Sequence, residues 1–221
     1  MKIPFKRLNF SNAEEEIRKL LQSGWIGLGP KVFELEEEFA KYVGSRYAIA
    51  TDSCTSALFI SLKYFAADIE REWPITIPSM TVPLVGNAVI EAGYELYFND
   101  DIGWVGNAYT LVGSNIIDSA HQLKRDMCKQ LPDCNYCFSF YPTKPIGSAD
   151  GGMIATNDEK FAEWARSVIT YGRNQKQKYQ NSWEYDTERL GYKRHYTNLQ
   201  AVTVLEQLRR LDETNELRRS I

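Results

Sequence analysis

The sequence predicts an α/β domain: a mostly parallel central sheet with helices on both faces. Three observations predict it. Short apolar stretches of strand composition alternate with longer amphipathic ones, and the longer ones carry helix start and stop signals. Residues able to do chemistry also fall just past the ends of the apolar stretches, where open sheets of this class bind ligands. Strands covered on both faces should be almost continuously apolar, as "YAIAT" (47–51) and "YCFSFY" (136–141) are.

Taken in order, "SNAEEEIRKLLQSG" (11–24) opens with a Ser-x-x-Glu capping box and closes on Gly24. "PKVFELEEEFAKYVG" (30–44) starts on proline, ends on glycine, and sets Val32, Leu35, Phe39 and Val43 on one face. Strand 47–51 leads into the largely apolar helix 54–66. "ITIP" (75–78) is expected as a strand, "VGNAVIEAG" (85–93) as a helix and "ELYF" (95–98) as a strand. "AYTLV" (108–112), "NIIDSA" (115–120), 136–141 and "GGMIAT" (151–156) complete the strands. Helix 157–172 is expected to be capped by Asn157, with Asp158 and Glu159 in its first turn. From Thr197 to about Arg219 the spacing of Leu199, Val202, Leu205, Leu208 and Leu211 predicts one long amphipathic helix. Its apolar face would need a covering partner.

The chain of 221 residues suits one large domain or a domain with a small appendage. A net charge of −3, with basic and acidic residues interspersed, gives no reason to expect nucleic acid. No window has the length and apolarity of a signal peptide or membrane span, so a cytoplasmic location is the expectation. Cys134 and Cys137 have the two-residue gap of a zinc knuckle, with Cys128 nearby. A fourth ligand would have to be His121, and Cys137 alternates with Phe138 as a strand residue does, so reduced buried thiols are expected and no metal.

The chemistry-bearing residues cluster at strand ends. After strand 47–51 come Ser53, Cys54 and Thr55, which with the free N–H groups of a helix's first turn would cradle an anion, though an N-cap alone would also explain them. Strand 115–118 ends in Asp118, with His121 three residues on; an acid there can equally cap a turn. Strand 136–141 carries Ser139 and runs into "SFYPTKPIGSADGG", where Lys144 sits between two prolines among apolar neighbours. Together, an anion cradle, a buried acid, a hydroxyl and an amine meet the needs of pyridoxal phosphate: a phosphate, a ring nitrogen that must stay protonated, and an aldehyde.

Here the sequence resembles the DegT/DnrJ/StrS family of sugar aminotransferases, which have the aspartate aminotransferase type of fold. "GWIGLGPKVFELEEEFAKYVG", "SCTSAL", "IIDSAHQ", "SFYPTKPIGSADGGMIATND", "YGR" (171–173) and "LGYKRHYTNLQAV" (190–202) match its segments in order, over about residues 20–215. The resemblance implies that Lys144 forms the internal Schiff base and Asp118 pairs with the pyridinium nitrogen. It places His121 near the phenolic oxygen of the cofactor, and Cys54, Thr55 and Ser139, beside Ser53, at the phosphate. Lys193 would reach the phosphate in the neighbouring subunit of a homodimer with a shared active site. The implied activity is amino transfer, with glutamate as donor, to a nucleotide-linked keto-sugar. The large cofactor-binding domain would span 1–196, and 197–221 would be the remnant of, or lead-in to, the family's small C-terminal domain, largely absent here.

Three departures stand out. "PSMTVPLV" (78–85) offers Val82 where the family has a ring-stacking aromatic. Between "ELYFND" and "NIIDSA" the chain is about thirty residues shorter than usual, roughly a helix and part of a strand. The family continues beyond residue 221 into its small domain. A non-catalytic reduced member, binding cofactor or a partner as regulator or scaffold, is the alternative expectation.

Overall fold

Strand propensity and alternation carry over into the computed structural model, which describes residues 10, 13–68, 73–173 and 186–220. The helices are α1 (Glu14–Ser23), α2 (Pro30–Val43), α3 (Cys54–Asp68), α4 (Pro83–Ala92), α5 (Glu159–Ile169), α6 (Asn198–Arg209) and α7 (Leu211–Arg219). The strands are β1 (Tyr47–Thr51), β2 (Ile75–Pro78), β3 (Leu96–Asn99), β4 (Tyr109–Thr110), β5 (Ile116–Asp118), β6 (Asn135–Ser139) and β7 (Gly152–Thr156). The predicted capping box at Ser11 lies outside the described residues.

Five strands form one sheet in the order β1-β7-β6-β5-β4, and β2 and β3 form a parallel pair. A bridge between Thr76 and Val112 links the two. The α/β class and the helices on both faces are as expected, but the pairing is mixed. Adjacent strands pair antiparallel at β1–β7, β7–β6 and β4–β5, and parallel at β5–β6. β4 and β7 alone run against the direction shared by the other described strands. The reason is connection length. Parallel neighbours need a crossover of a dozen or more residues, usually a helix. β4 and β5 are joined by residues 111–115 and β6 and β7 by the helix-free segment 140–151, so each pair turns back on itself.

Alternation across the strands divides the interior between the two faces. Ala48, Ala50, Phe138, Met153 and Ala155 face α2 and α6, with Leu35, Phe39, Val204 and Leu205 in the same core. Ile49, Cys137 and Ile154 face the other way, toward Leu58 and Ile60 of α3 and Phe161 and Val168 of α5. A charged pair built on the buried Glu36 ties three elements together. Glu36 of α2 accepts from the Ala50 backbone N–H at 2.9 Å and from Arg166 of α5, whose guanidinium also donates to the Ala48 carbonyl at 2.7 Å. Glu36 is the buried member, so removing Arg166 takes the counter-charge from a buried carboxylate, at a cost of about 3–5 kcal/mol.

Two further expectations change. Asp158, not Asn157, caps α5 by accepting from the Phe161 N–H at 3.0 Å. Asn157 instead accepts from the Arg46 N–H and donates to the Pro132 carbonyl, tying two loops together. The C-terminal segment is two helices, broken at Arg210. The apolar side of α6 (Val202, Leu205, Leu208) is buried within this chain, Leu205 and Leu208 in the core shared with α2, so it does not call for a partner. Among the described residues no helix is long and apolar enough to cross a membrane, and no group of three or more His, Cys, Asp and Glu is arranged to hold a metal ion.

Candidate active site

The five co-directional strands end at one edge of the sheet, and a cavity of about 590 Å³ opens there. Its lining draws on nearly every strand end. Ser53, Cys54 and Thr55 follow β1; Thr81, Val82 and Leu84 follow β2; Trp104 precedes β4 and Tyr109 begins it; Asp118 and His121 lie at the end of β5; Ser139 ends β6; and Lys144 lies in the β6–β7 connection. Seven of the eight residues singled out from the sequence therefore line one cavity. Lys193 does not: it is exposed, and its backbone bridges to Thr170.

At the α3 end, the Ser53 hydroxyl is a helix cap, accepting from the Ser56 N–H at 3.1 Å. The N-cap explanation thus holds for its side chain. The N–H groups of Cys54 and Thr55, in the first turn, have no acceptor within the helix and remain for an anion. Close approach of this turn depends on Gly152, where a Cβ would lie 2.5 Å from the Ser53 carbonyl carbon and 2.6 Å from the Cys54 nitrogen. Gly152 is thus a steric requirement of the cradle, whereas a Cβ at Gly151 would meet the Tyr196 ring. Burial pushes the Cys54 thiol well above the usual thiol range, so it lines the cavity as a neutral group.

Asp118 is 5% exposed. Burial raises its carboxyl above the usual range, opposed by the Ala120 N–H, the Tyr109 hydroxyl and the nearby His121 and Lys144. Its Oδ1 accepts from Ala120 at 2.9 Å and its Oδ2 from Tyr109 at 2.8 Å. Lys144 Nζ lies 2.9 Å from Nε2 of His121. Burial holds the Lys144 ammonium below the ordinary lysine range, against the pull of Cys54 and Asp118. His121 is lowered too, by burial first and then by Lys144. A neutral imidazole facing an amine that gives up its proton readily is a setting for proton transfer.

Among the lining residues that sequence reading missed, three bear on the chemistry. Tyr109 could have been found from the short β4–β5 hairpin, whose register sets it opposite Asp118. Thr81, hydrogen-bonded to Tyr109 at 2.8 Å, had no local signal. Trp104 stands edge-on to His121, with ring centroids 5.4 Å apart, so an aromatic does enter the wall, from a different segment than Val82. The donor set fits pyridoxal phosphate: free N–H groups, Thr55 and Ser139 for an anion, a carboxylate for a ring nitrogen, and an amine.

A family model described as the DegT/DnrJ/EryC1/StrS aminotransferase family matches residues 10–102 and 124–221. The spore coat polysaccharide biosynthesis protein SpsC of Bacillus subtilis is 30% identical over 250 residues, covering 94% of this chain and 64% of its own length. The UDP-4-amino-4,6-dideoxy-N-acetyl-beta-L-altrosamine transaminase of Campylobacter jejuni is 25% identical over 261 residues, covering 99% and 67%. Both alignments are longer than this chain, so the relatives carry segments that it lacks. The chain spans 64% to 67% of the length of these curated relatives. Among solved structures, an aminotransferase from Psychrobacter cryohalolentis superposes with a TM-score of 0.79 at 20% identity, covering 95% of this chain and 65% of that one. Helicobacter pylori PseC, an aminotransferase of pseudoaminic acid biosynthesis, gives 0.76 at 16%, covering 96% and 66%. At these identities the structures show the shared fold.

Proposed function

Because the chain belongs to the DegT/DnrJ/EryC1/StrS aminotransferase family, we propose that it is a pyridoxal-phosphate-dependent sugar aminotransferase. In this reading it moves an amino group from glutamate to a nucleotide-linked keto-sugar. The observation that carries it is the convergence of Lys144, Asp118 and the first turn of α3 on one cavity. When bound, the cofactor supplies an aldehyde and an electron-withdrawing pyridinium ring.

The chain's own residues divide the remaining work. The first-turn N–H groups of Cys54 and Thr55, with the Thr55 and Ser139 hydroxyls, would hold the phosphate. Charge-assisted hydrogen bonds of this kind contribute about 1.5–3 kcal/mol each. Asp118 would pair with the ring nitrogen and keep it protonated. Lys144 would hold the group through Nζ; once free, its depressed proton affinity suits it to take a proton from the substrate carbon bearing the nitrogen. His121 orients that amine.

A nucleotide-linked substrate is supported by the UDP-sugar named for the Campylobacter relative. The exposed apolar side chains of Val82, Leu84 and Tyr141 on the cavity lining support a homodimer covering its mouth. In that arrangement Lys193 reaches the partner's phosphate site. The location is cytoplasmic in this reading.

Glutamate added to the cofactor-loaded chain should convert the bound cofactor from its aldehyde to its amine form, read by absorbance, and release 2-oxoglutarate. Bound cofactor that no amino acid converts would instead support a non-catalytic cofactor binder.

A further inference from the structure

We propose that Tyr109, backed by Thr81, is a positioning residue that aims the Asp118 carboxylate into the cavity. The proposal rests on the reading of Asp118 as partner of the cofactor's ring nitrogen. Pairing with Tyr109 on one side and Cys137 on the other fixes the Asp118 backbone but does not by itself aim the carboxylate. Two donors do. The Ala120 N–H holds Oδ1 at 2.9 Å and the Tyr109 hydroxyl holds Oδ2 at 2.8 Å. An ionised carboxylate only accepts, so the single phenolic proton points at Asp118. The Thr81 hydroxyl, 2.8 Å from the same phenolic oxygen, must then donate into it. The result is a one-way relay, Thr81 to Tyr109 to Asp118, ending on a carboxylate whose remaining lone pairs are open to the cavity it lines.

Tyr109 reaches Asp118 because the two are directly opposed across β4 and β5, which sets both side chains on the same face of the sheet. That register exists because β4 runs back along β5 through the short connection 111–115. Tyr109, Asp118 and His121 all lie in the stretch 103–123 between the two parts of the family match.

The test uses the cofactor-free 221-residue chain. Wild type and Tyr109→Phe are titrated with pyridoxal phosphate and with an analogue carrying C–H in place of the ring nitrogen, followed by quenching of tryptophan fluorescence. Wild type should prefer the nitrogen-bearing ligand. Tyr109→Phe should bind pyridoxal phosphate about tenfold more weakly, while affinity for the analogue stays within about twofold. Thr81→Val should shift the preference the same way by a smaller factor, and it carries the test should Tyr109→Phe fail to fold. Equal losses for both ligands, or an unchanged preference in the folded variants, overturn the proposal. Asp118→Asn separates the two readings. If it abolishes the preference while Tyr109→Phe keeps it, the role of Tyr109 alone is wrong. If it too leaves the preference intact, the reading of Asp118 falls.

Discussion

Replacing Lys144 with alanine is expected to lower turnover by about a thousandfold or more while leaving the fold intact. Proton transfer by a positioned side chain contributes about 10²–10⁴-fold, and here the same amine is also the covalent anchor, so both functions go together. The cofactor should still bind through the α3 cradle and Asp118, but it should be removable by dialysis. Folding should be unharmed because the ammonium is disfavoured by burial in the native state, so its removal relieves a cost. Kinetics with glutamate, and the thermal midpoint of the cofactor-free variant, check both halves. Turnover within tenfold of wild type would remove Lys144 from the mechanism.

Asp118→Asn should separate binding from chemistry in the opposite sense. The cofactor should remain bound and coloured, since Lys144 and the cradle are untouched. Turnover should drop, because asparagine cannot hold the ring nitrogen in its charged form. Leaving one charge of a buried pair uncompensated costs about 3–5 kcal/mol, which corresponds to about 10²–10⁴-fold if it is felt fully in the transition state. The cofactor-free protein should behave differently. Burial raises the Asp118 pKa above its unfolded value of 3.8, so the native state binds this proton more tightly than the unfolded chain. Its contribution to stability is complete below the unfolded value and is lost as pH rises through the native one. Asp118→Asn should therefore gain on wild type in thermal stability as pH rises from acid to neutral. Unchanged turnover would sink the assigned role.

The sequence is informative where the controlling physics is local. Glycines at 24, 44 and 93 mark helix ends because the left-handed backbone there is costly for other residues. Apolar runs at 47–51 and 152–156 mark strands buried on both faces. Lys144, Asp118, Ser139 and residues 53–55 could be grouped because strands of one direction end at one edge.

What escaped the reading depends on pairing across distance. The reversal of β4 follows from a connection too short to cross over, and only with that reversal does Tyr109 face Asp118. Nothing near Arg210 breaks the helical pattern, yet the helix divides there. The amphipathic stripe of α6 was legible, but not that α2 covers it. Asn157 and Asp158 are both good caps, and Asn157 is occupied by Arg46 and Pro132, leaving the role to Asp158. The C-terminal division at residue 196 remains a proposal.

The most direct test is to load the chain with pyridoxal phosphate, reduce it with borohydride and map the labelled peptide by mass spectrometry. The account predicts that colour is lost and that the cofactor is fixed at a single position, Lys144. A colourless protein after loading, or label fixed at another lysine such as Lys193, would contradict it.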